Sequence, residues 1–169
     1  MKSNITLIGM PGAGKSTVGI ILAKNMTFGY IDTDILIQIN QQKSLQQIID
    51  ESDHWNLRHI EEKEILKLNI KKQVIATGGS VPYSHKAMTL LENISQIVFL
   101  KVSIDELKRR IHNYETRGIA KAPSQTFMDL FKERQKLYKK YAKVTITCDA
   151  LNQDEIAEKI QKLVALDQY

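Results

Sequence analysis

The sequence predicts an α/β fold in which a mostly parallel sheet is covered by helices on both faces, and three observations carry that prediction. The first is Gly9-Met-Pro-Gly-Ala-Gly-Lys-Ser-Thr17, which fits the phosphate-loop pattern G-x-x-x-x-G-K-[ST] with Gly9, Gly14, Lys15 and Ser16 in place. It is preceded by an apolar run at 5–8 and followed by a helical stretch at 18–24, the strand-loop-helix order that the motif requires. The second is that five short β-rich runs alternate with helical stretches along the chain, which is the pattern of a parallel sheet with helical crossovers. The third is size: 169 residues, 43% of them hydrophobic, suffice for one ordinary core and not for two. One domain over 1–169 is expected.

Each element has a local reason. After the strand at 5–8 and the loop, the first helix carries Val18, Ile21, Leu22 and Met26 on one apolar face. Residues 28–31 read as a second strand, ending in Asp32-Thr33-Asp34 at the edge where open α/β sheets place ligands. Ser44 reads as the N-cap of a helix with Leu45, Ile48 and Ile49 inside, and a further helix is expected over 55–68. The third strand, 74–76, stops at Thr77-Gly78-Gly79-Ser80, which predicts a flexible loop over the ligand side. A fourth strand at 97–100 leads to Ser103 and Glu106, spaced as a capping box, with Leu107 and Ile111 inside and Lys108, Arg109 and Arg110 largely outside. Periodicity fails over 113–124, and a mobile loop is expected there. Helix returns at 127–142, a fifth strand at 144–148, and Asn152 with Glu155 caps a last helix ending near 166.

Charge and cysteine usage narrow the function classes. Net charge is +5 and the pI about 9.2, but Lys and Arg are interleaved with acids rather than gathered into a run. An anionic small molecule accounts for the excess as well as nucleic acid does. The lone Cys148, at the end of an apolar strand, reads as a small core residue and suits a reducing cytosol. No apolar run approaches the roughly 18 residues of a membrane span, so a cytoplasmic protein without a membrane partner is expected.

In the phosphate loop, glycines let successive backbone N–H groups face an anion at a helix N-terminus. Lys15 is placed to reach the β and γ phosphates, and Ser16 to offer its hydroxyl to Mg²⁺. Asp32 and Asp34, two apart on an expected extended segment, point the same way. That suits Asp32 to the Mg²⁺ shell and Asp34 to an acceptor hydroxyl, whose proton it would take as base. The same pair also suits the cap of a following helix. Arg58 and Glu61, at i and i+3, are near enough to pair on one helix face.

The chain resembles the shikimate kinases, in the nucleoside-monophosphate-kinase-like branch of phosphate-loop kinases. The resemblance runs over nearly the whole length. It rests on Gly-Met-Pro-Gly-Ala-Gly-Lys-Ser-Thr-Val-Gly, Asp32-Thr33-Asp34, Leu57-Arg58-x-x-Glu61, Ile75-Ala76-Thr77-Gly78-Gly79 and Glu133-Arg134-x-x-Leu137-Tyr138. It implies a three-layer sandwich with a five-stranded parallel sheet of order 2-3-1-4-5, an acceptor-binding segment over 33–61 and a lid over 113–124. ATP with Mg²⁺ would be held by Gly12, Ala13, Gly14, Lys15, Ser16 and Thr17, with Arg110 beside the adenine and the loop 149–154 opposite. Arg109 is the neighbouring alternative for that arginine. Arg58 and Arg134 would grip the carboxylate of shikimate, while Asp34, Gly78 and Gly79 hold its hydroxyls. A guanidinium suits that role because its planar fork matches a carboxylate. Without the resemblance, Arg58 paired with Glu61 and Arg134 on a solvated helix face are the plain alternatives. Arg117 would swing over the phosphates, and a monomer is the family expectation.

The sequence departs from the family pattern at four places: Leu57 for Phe, Ser80 for a third glycine, Gly118-Ile119-Ala120 for Pro-Leu-Leu, and Lys136 for proline. All four are expected near the acceptor pocket or the lid, which leaves the nucleotide half intact. Three readings therefore compete. Phosphorylation of shikimate leads, a sibling kinase acting on another anionic hydroxy acid such as gluconate follows, and a nucleotide-dependent regulatory module comes last, supported only by the basic pI.

Overall fold

The computed structural model describes residues 2–111 and 118–166, with the side chains of 165 and 166 set aside. β1 (Asn4–Ile8) lies at the centre of a five-stranded sheet and pairs in parallel with both β3 (Gln73–Ala76) and β4 (Ser95–Lys101). β2 (Gly29–Asp32) and β5 (Val144–Thr147) form the edges, giving the order β2-β3-β1-β4-β5, all parallel, as expected. β1 is buried along its whole length and β3 and β4 over most of theirs, as a sheet covered on both faces requires.

Eight helices complete the layers among the described residues: α1 (Lys15–Met26), α2 (Thr33–Gln41), α3 (Leu45–Glu51), α4 (His54–Leu66), α5 (His85–Ile94), α6 (Ile104–Arg110), α7 (Phe127–Tyr141) and α8 (Gln153–Leu166). α1 carries the chain from β1 outward to β2, and α5 carries it back across β1 to β4. Right-handed crossovers in opposite directions put those two helices on opposite faces. α8 packs on α1, while α5 and α7 lie on β4. The main core joins the sheet to these helices, and Cys148 is buried in it as expected. A smaller cluster of Ile37, Ile48, Leu57 and Ala120 binds α2, α3 and α4 together.

Several expectations are corrected. α5 was not anticipated, and α2 only as the helix that Asp32 and Asp34 would alternatively cap. In α2 the isoleucines at 35, 37 and 39 recur every second residue, a strand-like period, and only Ile37 is buried. Asp32 and Asp34 do not sit on an extended segment, because the helix begins at Thr33 and Asp32 is its N-cap, accepting from the backbone N–H of Asp34 (3.0 Å) and Ile35 (3.4 Å). The segment after β3 is not an open loop. Thr77 is buried with its N–H and hydroxyl both on Leu7 O, and the chain turns at once into a 3-10 turn, Val81–Tyr83. The Ser103 cap is one-sided: its hydroxyl accepts from Glu106 N–H, but its own N–H goes to Asp149 (2.8 Å). Of the expected loop 113–124, residues 118–124 are described and are irregular, while Arg117 lies outside the described residues.

One buried side chain holds the lower edge of the sheet. Asn4 donates to Ile70 O and Ile94 O (3.0 Å each) and accepts from Gln73 N–H (3.0 Å), so it ties the starts of β3 and β4 to β1. Asn4→Ala strands all three backbone groups, and urea melts are expected to show a loss of about 3 kcal/mol, more than a single exposed hydrogen bond is worth.

Candidate active site

β1 ends in the phosphate loop at the carboxyl edge of the sheet. α1 starts at Gly14, whose left-handed backbone (φ 92°) presents no side chain to cap the first turn. The first N–H groups of α1 are therefore turned toward the cleft without a protein cap, which is the arrangement an anion fills. Lys15 curls over the loop, donating to Gly9 O (2.8 Å) and Met10 O (2.9 Å), and is buried. Ser16 donates to Asp32 Oδ2 (2.7 Å), which also accepts from Tyr30 OH (3.0 Å). Burial first and then the Asp32 charge hold the Tyr30 phenol protonated far above its ordinary range.

A single cleft of about 280 Å³ runs from this loop to the opposite side of the site. Gly12, Gly14, Lys15, Ser16, Thr17, Asp34, Gly79, Arg110 and Arg134 line it together. Asp32, Arg58, Ala13 and Gly78 stand immediately behind that lining rather than in it. Both arginines pair with Glu106, Arg109 at 2.9 Å and Arg110 at 2.7 Å, but Arg109 is exposed and off the cleft whereas Arg110 lines it. Of the two arginines only Arg110 is placed to meet a ligand.

The far side of the cleft is built from buried charge. Arg134 is 1% exposed and donates through Nη2 to Ala120 O (2.7 Å), and Arg58 donates to the same oxygen (3.3 Å). Two guanidinium groups thus converge on one carbonyl oxygen. The Tyr83 ring lies between them, 3.7 Å from the Arg58 guanidinium carbon and 5.6 Å from that of Arg134, with Trp55 on the outer side of Arg58 at 5.0 Å. Aromatic faces fix both guanidinium planes without consuming their donors. Tyr138, one turn beyond Arg134, donates to Gly79 O (2.6 Å) and so locks the Gly78-Gly79 segment to the arginine helix.

Gly78 shows why no larger residue would serve. A Cβ there would lie 2.7 Å from Asp34 Oδ1 and closer still to Glu61 Oε1. Two carboxylates therefore flank one glycine. Burial above all, and then the Asp34 charge, push Glu61 up to about 7, with Ser80, Arg134 and Arg58 acting in the other direction.

The pairing of Arg58 with Glu61, the plain alternative to an acceptor role, does not form; Ser80 donates to Glu61 Oε2 instead. Tyr83 and the Ser80–Glu61 contact carried no sequence signal that distinguished them, whereas Tyr138 lay within a quoted motif. Two departures do not line the cleft. Leu57 is not a cleft wall but a buried member of the small cluster, and the apolar cleft surface comes from Pro11, Leu45 and Ile119. Lys136 is exposed on α7, away from the cleft. Gly118 has a positive φ of 68°, which proline cannot adopt, and a Cβ there would meet Leu45 Cβ at 2.6 Å. Its N–H donates to Gln46 (2.9 Å), which brings the described part of the 113–124 segment down onto α3.

A phosphate loop at the carboxyl edge of a 2-3-1-4-5 sheet, sharing a cleft with Asp34 and Arg134 and with Arg58 set behind that lining, defines a phosphate-loop kinase of the small-molecule class. Comparison with known proteins narrows the class. The shikimate kinase family model matches residues 11–165. A shikimate kinase of Clostridium botulinum (strain Okra / Type B1) is 38% identical over 162 residues, covering 93% of each chain. One of Sulfurihydrogenibium sp. (strain YO3AOP1) is 32% identical over 158 residues, 93% of this chain and 95% of the relative. The solved structure of Acinetobacter baumannii shikimate kinase in complex with shikimate superimposes with a TM-score of 0.91 at 26% identity, over 99% of this chain and 95% of that one. The chain belongs to the shikimate kinase family, and it is a phosphotransferase with an alcohol group as acceptor.

The raised Glu61 gives a stability prediction with a definite sign. The folded chain holds this proton more tightly than the unfolded one, so its contribution is fully present below about pH 4.5 and is lost as pH rises through about 7. Glu61→Gln should accordingly be more stable than the parent in urea melts at pH 8, and the difference should vanish at pH 4.

Proposed function

We propose that this chain transfers the γ-phosphoryl group of ATP to the 3-hydroxyl of shikimate, with Mg²⁺, and that the residues lining the cleft divide into a nucleotide half and an acceptor half. The observation that carries the proposal is the convergence of Arg58 and Arg134 on one oxygen at the end of the cleft opposite the phosphate loop, with Asp34 lining the space between.

The donor set fits the nucleotide. The uncapped first turn of α1 and the buried Lys15 supply N–H donors and positive charge for phosphate oxygens, and Arg110 adds a planar cation at the cleft margin. Ser16 and Asp32, already in contact, would hold the metal. Among the described residues no three His, Cys, Asp or Glu side chains form a metal cluster, and Mg²⁺ is a cation that binds through one or two protein oxygens plus phosphate and water. Bound there, Mg-ATP supplies the phosphoryl group and neutralises its oxygens.

The acceptor's carboxylate lies on Arg58 and Arg134, which sets the hydroxyl toward Asp34 and the phosphate loop. Asp34 accepts the hydroxyl proton as the oxygen attacks, and the Gly78-Gly79 segment, held by Tyr138 and by Thr33 on Gly78 N–H (3.0 Å), offers backbone groups to the remaining hydroxyls. Arg117 is assigned to the phosphates as the cation supplied by the lid. No helix among the described residues is long and apolar enough to cross a membrane. The buried lone thiol suits a reducing cytoplasm, and a monomer is carried over as the family expectation.

ADP release by the purified protein with Mg-ATP should rise strongly on adding shikimate and stay at background with gluconate; response to gluconate alone would reassign the acceptor. Asp34→Asn is expected to lower kcat about 10²- to 10⁴-fold, the usual worth of a general base, while ATP affinity stays within about twofold. Turnover unchanged by that substitution would remove Asp34 from the mechanism. Lys15→Ala should reduce kcat/KM about 10³-fold, as loss of a phosphate clamp does.

A further inference from the structure

Ser80 stands where the family pattern has a glycine, and its surroundings show what the added hydroxyl does. It lines the acceptor half of the cleft, is 4% exposed, and donates its proton to Glu61 Oε2. Glu61 lies one helical turn beyond Arg58 on α4, a spacing at which a carboxylate and a guanidinium ordinarily pair. They do not pair here. Arg58 has no ion-pair partner among the described residues; its guanidinium is stacked on Tyr83, and its buried Nε has no hydrogen-bond partner among them. The nearby charges bear on Glu61 from three helices: Asp34 on α2, Arg58 on α4 itself and Arg134 on α7.

We propose that Ser80 is a positioning residue for the acceptor: by holding Glu61 through its hydroxyl, it keeps that carboxylate away from Arg58 and leaves Arg58 free to join Arg134 on the acceptor's carboxylate. The physical reason is competition for one cation. A half-buried guanidinium such as that of Arg58, once paired with a carboxylate, has lost much of its attraction for a second one, and an intrahelical partner would win by proximity. The hydroxyl costs the site no donor that the acceptor needs, since its single proton is committed to Glu61. The inference rests on the acceptor reading given above.

A double-variant cycle tests it, run at pH 8 with shikimate varied at saturating Mg-ATP and then ATP varied at saturating shikimate. Ser80→Ala and Ser80→Gly should each raise KM for shikimate about five- to tenfold, the scale of one ordinary hydrogen bond, with kcat and KM for ATP within about twofold. Ser80→Gly guards against misfolding, because it restores the family residue at a backbone conformation (φ −98°, ψ −7°) open to any residue. In a Glu61→Gln background, where no charge is left to capture Arg58, Ser80→Ala should add nothing further to KM. A KM rise that persists in that background would mean that Ser80 touches the acceptor itself and would overturn the proposal. So would an unchanged KM in the single variants, or a fall in kcat alone. A parent enzyme without shikimate-dependent turnover would instead overturn the acceptor reading, and this inference with it.

Discussion

The parallel pairing of β1 with β3 on one side and β4 on the other is the constraint on which the rest depends. Parallel strands bring their carboxyl ends to one edge, and the chain leaves β1 toward β2 but leaves β3 toward β4, so a crevice opens between β1 and β3. The phosphate loop follows β1 at that crevice, and Thr77-Gly78-Gly79 follows β3. Asp32 ends β2 in register with Ala76, which delivers Asp34 to the same edge. Three segments far apart in sequence meet because each ends a neighbouring strand. The reactive groups are then set by backbone hydrogen bonding rather than by flexible loops.

The proposed acceptor side of the cleft is organised by a different principle, the burial of charge in numbers. Arg134, Glu61 and Lys15 are nearly inaccessible, and each is costly alone. They are tolerated because partners surround them: Ala120 O and the Tyr83 face for Arg134, Ser80 for Glu61, and two loop carbonyls for Lys15. Such a site is held apart from water before any ligand arrives. It therefore spends little on reorganisation when charge moves during transfer. Stability and function pull against each other at Glu61, whose ionised form is disfavoured by the same burial that shapes the pocket.

The departures from the family pattern acquire separate meanings once placed. Gly118 is needed where its segment bends close to Leu45 and Gln46, so the exchange of proline for glycine goes with a different approach to α3. Leu57 completes an apolar cluster behind the lining residues Leu45 and Ala120, while Lys136 is simply exposed. Ser80 alone places a new polar contact inside the site. Position along the chain did not separate these four; surroundings did.

The sequence by itself determined the fold class, the phosphate loop, the five strands and most helix starts, because these are written in short-range terms: glycine spacing, apolar period and capping residues such as Ser44 and Asn152. With the family resemblance it also offered the residues proposed for the site, Lys15, Ser16, Asp32, Asp34, Arg58, Gly78, Gly79, Arg110 and Arg134, of which Lys15, Ser16, Asp34, Gly79, Arg110 and Arg134 line one cleft. Local pattern failed at α2, where an isoleucine every second residue hides a helix whose cap, Asp32, also serves the site. What only the tertiary structure decided is who partners whom among the buried charges. Arg58 and Glu61 are neighbours on one helix, yet Glu61 turns to Ser80 and Arg58 to Tyr83 and Ala120, groups 19, 25 and 62 residues distant. In a medium of low polarity each charge settles with whichever group satisfies it at least cost in desolvation, and that choice depends on which elements the whole fold packs together.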